Sequence, residues 1–223
     1  YRSVYDFCVR EVSSFYLDVL KDTLYIVEPD SEKRRSPQTA MFYLMEVLSK
    51  LMAPILSFTT EEVWSNINLK NKPDSIHLAL WTTNEKWKDE GLDNKWENIL
   101  SLRDCVMKAL EIKRGKGEIG SSLEAKLEIY SEDETLKKFL NDSVNMLPVL
   151  FKVSQVKVLS TKDESMEQIQ DAPISVLVTK AEGIKCERCW NYGMATVQDG
   201  DYSDLCERCY DIIMKRRKNA EEN

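Results

Sequence analysis

A chain of 223 residues, 43% hydrophobic and carrying a net charge of −7, is long enough to bury a sizeable core as one large or two small domains. No run approaches the roughly 18 apolar residues that a membrane helix needs, and residues 1–30 lack the basic, apolar and small-residue succession of a secretion signal, so a soluble, cytoplasmic protein is expected. The acidic balance argues against a nucleic-acid partner, because such proteins usually carry a basic surplus. Positive charge is clustered at Lys33–Arg35, at Lys113, Arg114 and Lys116, and at Lys215–Lys218, and each small cluster reads equally as solvated surface.

Over residues 1–20, Val4, Cys8, Val12, Phe15, Tyr16 and Val19 recur at helical spacing and predict an amphipathic helix. A second helix is expected to open at Ser36-Pro37, to carry Met41, Leu44, Met45, Leu48, Leu51 and Met52 inward, and to end or kink at Pro54. A third opens on Thr59-Thr60-Glu61-Glu62, a capping box, and continues through Val63, Trp64 and Ile67. Residues 68–89 read as a loop touching the core at intervals, with His77, Trp81 and Trp87 as landmarks; a lone loop histidine is expected to be packed or capped, and Trp64, Trp81, Trp87 and Trp96 to pack helices. A long helix through Trp96, Ile99, Leu102, Val106, Leu110 and Ile112 should stop at Gly115–Gly120, with Cys8 and Cys105 filling helix interfaces.

Beyond Gly120 the period changes to two. Leu123, Ala125, Leu127 and Ile129 alternate with charged residues and Tyr130, as in a strand with one solvated face. A helical stretch over about 132–151, with Pro148 near its end, precedes two strand candidates, Val153–Val158 and Ile174–Val178. The expected fold class is mainly α: a helical bundle over 1–118, a small α+β unit over 119–180, and a four-cysteine zinc ribbon over 181–223.

Four of the six cysteines form Cys186-Glu-Arg-Cys189 and Cys206-Glu-Arg-Cys209, separated by sixteen residues, the spacing at which two C-x-x-C knuckles close on one tetrahedral zinc. Four thiolates leave no open coordination position, so the site is structural; a redox motif and a rubredoxin-like iron are the minor alternatives. The segment between the knuckles has turn residues for a small β ribbon but too few apolar residues to fold unaided. Trp190 and Tyr210 follow the second and fourth cysteines, and either ring could pack on the sulfurs or stack on an unpaired base. Arg188 and Arg208, inside the knuckles, could meet phosphates or bases, or offset the thiolate charge.

Cys186-Glu-Arg-Cys189-Trp190-Asn-Tyr192, Leu205–Cys209, Glu118–Ala125 and Ser154–Val156 together resemble the C-terminal region of bacterial isoleucyl-tRNA synthetases. Tyr43–Trp64 and Ser75–Trp81 resemble the anticodon-binding bundle shared by the isoleucine, valine and leucine members of class I, so the likeness covers nearly the whole chain. It implies an anticodon-binding, tRNA-binding part of a ligase of protein biosynthesis, with isoleucine tRNA as partner, one structural zinc ion, and the N-terminal catalytic and editing domains of the same full-length chain as neighbours in a monomer. The His-Ile-Gly-His-like and Lys-Met-Ser-Lys-Ser-like strings of that family are not in this sequence. Nucleotide binding and ATP-dependent catalysis are therefore expected in residues preceding Tyr1, and the mid-helix-like start Tyr1-Arg2-Ser3 reads as that of a fragment. Candidate tRNA contacts are Arg188, Trp190 and Arg208 in the knuckles, Lys215, Arg216 and Arg217 at a helix end, and Lys113 and Arg114. The rival reading is a non-enzymatic zinc-ribbon adaptor whose partner is protein, which the negative charge suits.

Overall fold

The computed structural model describes residues 1–81, 87–169, 173–193, 197 and 200–221. Their contacts divide the chain into two compact units, Tyr1–Asp89 and Glu90–Asn223.

The first unit starts with one helical run: α1 (Arg2–Asp6), a wider turn with i→i+5 hydrogen bonding over Phe7–Leu17, and α2 (Asp18–Tyr25). The predicted stripe, Val4 to Val19, is the half-buried side of this run, and none of its members is fully buried. Helix α3 (Glu32–Met52) starts four residues before the expected Ser36-Pro37. Ser31 is its N-cap residue and Pro37 lies inside it. Pro37 is the sixth residue of α3, so its missing N–H forgoes one ladder bond, to the carbonyl of Lys33 in the first turn. Met45 and Leu51, expected inward, are exposed, and Ser49 is the buried residue of α3.

Helix α4 (Ser57–Asn66) also begins earlier than its sequence signal, with Leu56 as N-cap residue. The capping box expected from Thr59 and Glu62 does not form, because α4 is already under way at Ser57 and both residues lie inside it. Between them, Thr60 Oγ1 donates to Leu56 O at 2.9 Å. The Glu61 carboxylate accepts from Ser75 Oγ at 2.9 Å and from the Ile76 N–H at 3.1 Å. Trp64, 2% exposed, packs with Ala53, Ile67 and Ile76, and its indole N–H donates to Pro73 O at 2.9 Å. The Lys72 ammonium closes the end of α4 by donating to the carbonyls of Trp64, Ser65 and Ile67, and it lies 5.8 Å from the Trp64 ring centroid. The loop 68–81 is thus fixed by Lys72, Pro73, Ser75 and Ile76. His77, Trp81 and Trp87, expected to touch the core, are exposed. The His77 N–H is capped by Ser75 Oγ at 3.2 Å.

The second unit opens with α5 (Glu90–Gly115), which buries Ile99, Leu102, Cys105, Val106, Ala109 and Leu110 and leaves Ile112 exposed. Although read with the bundle from sequence, α5 packs on the sheet and on the later helix that contains Leu150, and buried Arg103 donates from Nε to Leu150 O at 3.2 Å. The helix ends where Gly117 turns with φ of +72°, a conformation that needs no Cβ.

Strand β1 (Ala125–Ser131) alternates buried and half-buried residues along its whole length, as its period predicted. Two helices, α6 (Glu134–Asp142) and α7 (Leu147–Phe151), replace the single helix expected over 132–151. Pro148 sits in the first turn of α7, where it starts a helix and does not end one. Then follow β2 (Gln155–Val158), β3 (Glu167–Gln168) and β4 (Ile174–Lys180), in sheet order β2-β1-β4-β3, with β1 parallel to β2 and antiparallel to β4. Val153, expected to begin a strand, is buried just ahead of β2.

Candidate metal centre and nucleic-acid surface

Strand β4 hands the chain to the cysteine module through a set of polar ties. The Ala181 N–H donates to Glu124 O at 2.7 Å, Gln155 and Glu182 exchange two hydrogen bonds, and Lys126 Nζ meets the Glu182 carboxylate at 2.7 Å. Ser154 Oγ donates to Leu123 O and accepts from the Tyr192 N–H at 2.8 Å, joining module to sheet through one hydroxyl. The module itself starts with a two-stranded ribbon, β5 (Ile184–Lys185) and β6 (Tyr192–Gly193), in which Lys185 pairs with Tyr192. The ribbon thus flanks the first knuckle; the expected ribbon between the knuckles falls largely on residues 194–196 and 198–199, outside the described ones.

Within the first knuckle the Trp190 N–H donates to Cys186 O at 2.8 Å and the Cys186 N–H to Asn191 O at 3.0 Å. That turn requires φ of +63° at Trp190, a left-handed conformation costing roughly 1–2 kcal/mol in a residue with a Cβ. The second knuckle leads into α8 (Glu207–Glu221), so Cys209 is fixed in a first helical turn, and the Tyr210 N–H donates to Cys206 O. The Glu187 N–H reaches Asp204 O at 3.1 Å, bridging the two knuckles.

The four cysteines are free thiols whose sulfurs lie within 4.8 Å of one another; Cys186, Cys189 and Cys209 are buried and Cys206 half-buried. Cys189 and Cys206 sulfurs are 3.8 Å apart, the edge of a tetrahedron with arms of about 2.3 Å, which is the zinc–thiolate bond length. Electrostatics point the same way. The Cys189 thiol is pulled down to about 4, chiefly by the hydrogen bond from Cys209 and then by backbone and side-chain donors of Asn191 and by Arg208. Cys209 is pushed up by giving that bond and by burial, and Cys206 by burial. Four sulfurs this close cannot all ionise side by side without a cation, and a divalent, sulfur-preferring ion releases all the protons at once. The residues fit zinc by donor type, number and spacing.

Arg188 and Arg208 hydrogen-bond to Cys209 and Cys189 respectively, so both face the sulfurs and both offset thiolate charge. Trp190 is 59% exposed, with Lys185 Nζ 5.6 Å from its ring centroid; it does not bury itself on the cluster. Tyr210 is half-buried and meets Tyr202 edge to face at 5.9 Å, and Arg217 lies 5.1 Å over the Tyr202 ring. Lys215, Arg216, Arg217 and Lys218 are exposed in the C-terminal half of α8, with Lys218 in its last turn. Lys113 pairs with Glu118 at 3.1 Å and Arg114 with Glu111 at 2.9 Å, remote in sequence from the knuckles. Sequence reasoning missed Lys185, whose register opposite Tyr192 puts it beside Trp190.

Residues 1–129 match the family model of the anticodon-binding domain of tRNA ligase. This chain belongs to that family. Residues 183–212 match a second model, the zinc finger found in FPG and IleRS, and the finger spans all four cysteines, so the chain carries one structural zinc. Similar proteins include an isoleucine–tRNA ligase of Caldicellulosiruptor saccharolyticus, 39% identical over 96% of this chain and 22% of that protein. Those of Carboxydothermus hydrogenoformans and Petrotoga mobilis are each 40% identical over 96% of this chain and 23% of theirs. This member of the anticodon-binding family therefore spans less than a quarter of the length of these curated relatives. No helix among the described residues is long and apolar enough to cross a membrane.

Proposed function

We propose that the chain recognises the anticodon arm of isoleucine tRNA as the C-terminal part of a cytoplasmic, monomeric isoleucine–tRNA ligase. The observation that carries this reading is the anticodon-binding match over residues 1–129. The zinc finger on the same chain adds the isoleucine assignment, since the relatives that align across both are isoleucine–tRNA ligases. Attachment of isoleucine with ATP belongs, in this reading, to catalytic and editing domains of the full-length protein. The functional parts are the bundle 1–118, the α+β unit 119–180 and the module 181–223, with α5 packed on the sheet of the α+β unit.

Cys186, Cys189, Cys206 and Cys209 hold the zinc and close its coordination, so the metal fixes the knuckles and takes no part in chemistry. The exposed Trp190 ring, beside the Lys185 ammonium, offers a stacking surface with a neighbouring cation for the phosphate backbone. Lys215 and Arg216 on α8 add phosphate contacts, while Arg188 and Arg208 orient and neutralise the sulfurs; Arg217, Lys113 and Arg114 serve at the rim. A net charge of −7 means that this RNA surface is a local stripe.

Binding of the zinc-loaded chain to isoleucine tRNA, against the same tRNA with a changed anticodon and at two salt concentrations, tests the proposal. Anticodon-dependent binding that weakens steeply with salt is expected. Equal binding to both tRNAs, or none, would favour the zinc-ribbon adaptor with a protein partner.

A further inference from the structure

The strings Glu118–Ala125 and Ser154–Val156 supply no zinc ligand and no part of the exposed surface at Trp190. The structure brings both to one place, the joint between the sheet and the cysteine module. Between β4, which ends at Lys180, and β5, which begins at Ile184, the chain bends at Gly183 with φ of +98°, a conformation open to glycine and strained in a residue with a Cβ. By itself such a bend leaves a metal-fixed module free to swing as one body.

Hydrogen bonds close on the bend from both sides. Ahead of it, the Ala181 N–H donates to Glu124 O at 2.7 Å, the Glu182 N–H donates to Gln155 Oε1 at 3.1 Å, and Gln155 Nε2 donates to Glu182 O at 2.7 Å. Beyond it, the Tyr192 N–H, on the edge of β6 that β5 leaves unpaired, donates to Ser154 Oγ at 2.8 Å, and that hydroxyl donates to Leu123 O. Behind these, the Glu124 carboxylate accepts from the Gly120 N–H at 2.9 Å; a Cβ at Gly120 would stand 3.1 Å from Glu124 Oε1, so the glycine leaves room for it.

We infer that Ser154 is a positioning residue for RNA binding: with Gln155 and Glu182 it locks the Gly183 bend, so that the zinc module presents Trp190 and Lys185 in one fixed stance on the sheet. This deepens, and rests on, the reading of the chain as an RNA-binding part. Tyr192, which Ser154 holds, is two residues from Trp190 and is the register partner of Lys185. A hydroxyl suits the task because it donates and accepts, and so satisfies one backbone group on each side of the joint. A stance set before encounter removes the ordering cost that a swinging module would add to binding.

The test compares the whole zinc-loaded chain with its Ser154→Ala variant. Chelator competition should give the same zinc affinity, since all four ligands lie beyond the bend. Residual dipolar couplings of amides in α8 and β1 should fit one alignment in the wild type and shrink in α8 of the variant. Isoleucine tRNA should bind about three- to tenfold more weakly, as follows if the competent stance falls to between about a third and a tenth of the population. Ser154→Thr keeps the hydroxyl and should bind as the wild type does. In a Trp190→Ala background, Ser154→Ala should weaken binding by less than about twofold, because little is left to position. If Ser154→Ala binds within about twofold of the wild type, or if its loss is undiminished beside Trp190→Ala, the positioning role is refuted while the RNA-binding reading stands. A zinc affinity that falls in step with tRNA binding equally refutes it, by showing that Ser154 serves folding. Should Ser154→Ala fail to fold, Gln155→Ala, on the other side of the bend, must shrink the α8 couplings and weaken tRNA binding in the same way, or the inference fails. If the wild-type chain binds no isoleucine tRNA, the RNA-binding reading falls and this role with it.

Discussion

Lys72 gives the sharpest test of how the first unit is held. Its ammonium donates to three carbonyls at the end of α4, to Trp64 O, to Ser65 O at 3.1 Å and to Ile67 O at 2.7 Å, and lies 5.8 Å from the Trp64 ring. A hydrogen bond from a charged group contributes about 1.5–3 kcal/mol, a cation at a helix C-terminus about 0.3–1 and up to about 2 when partly buried, and a cation over an indole about 0.5–1. These contributions share one charge and do not add. Water can also reach some of the freed carbonyls, so Lys72→Met should lower local stability by about 2 kcal/mol. Native-state hydrogen exchange is the right assay, because the chain has two units and a single unfolding curve would blend them. Amides in α4 should exchange about thirty times faster, while β1 and β4 amides stay unchanged, and Lys72→Arg should recover part of the protection. Unaltered exchange in α4 would show that the ammonium only decorates a helix end already satisfied by its own turn, and the argument would fail.

Chelating the zinc should expose residues 183–212 to protease and release the Tyr192 amide from protection; an unchanged cleavage pattern would show that the module folds without metal. Zinc affinity should fall steadily as pH is lowered, since each thiolate that takes up a proton leaves the ion, and competition titrations at several pH values read this directly. Phe151→Ala removes a fully buried ring from the core of the second unit and should cost about 3–5 kcal/mol of its stability in denaturant titration. Glu182 is held below the usual carboxylate range, first by the hydrogen bond from Lys126 and then by its charge. A depressed folded-state value means that the tie between β1 and the module is present at neutral pH and is lost as pH falls through that value; carboxyl NMR titration, compared with Lys126→Met, should show the shift disappear.

The features that could be read from the sequence are those whose cause is local and periodic. Strand β1 shows its alternation because one face is buried along the whole strand, and the cysteine knuckles show theirs because a tetrahedral ion dictates the spacing. Helix starts were misplaced where the local signal lies inside a helix that begins earlier, Ser36-Pro37 within α3 and Thr59 with Glu62 within α4. Between the last two, Glu61 is drawn to Ser75 and Ile76, fourteen and fifteen residues away, a contact no local pattern contains. The broken helix at 143–146 carried one usable signal, Pro148, which marks a helix start as readily as an end. The tryptophans misled for another reason. Size alone favours burial, but the loop's fixed points are Ser75, Ile76 and the charge of Lys72, and the Trp81 and Trp87 rings stay exposed. The same reasoning separates the arginines from the tryptophan at the knuckles. A guanidinium close in sequence to a buried thiolate is drawn to that charge, as Arg188 and Arg208 are, whereas the Trp190 ring stays exposed on a left-handed backbone.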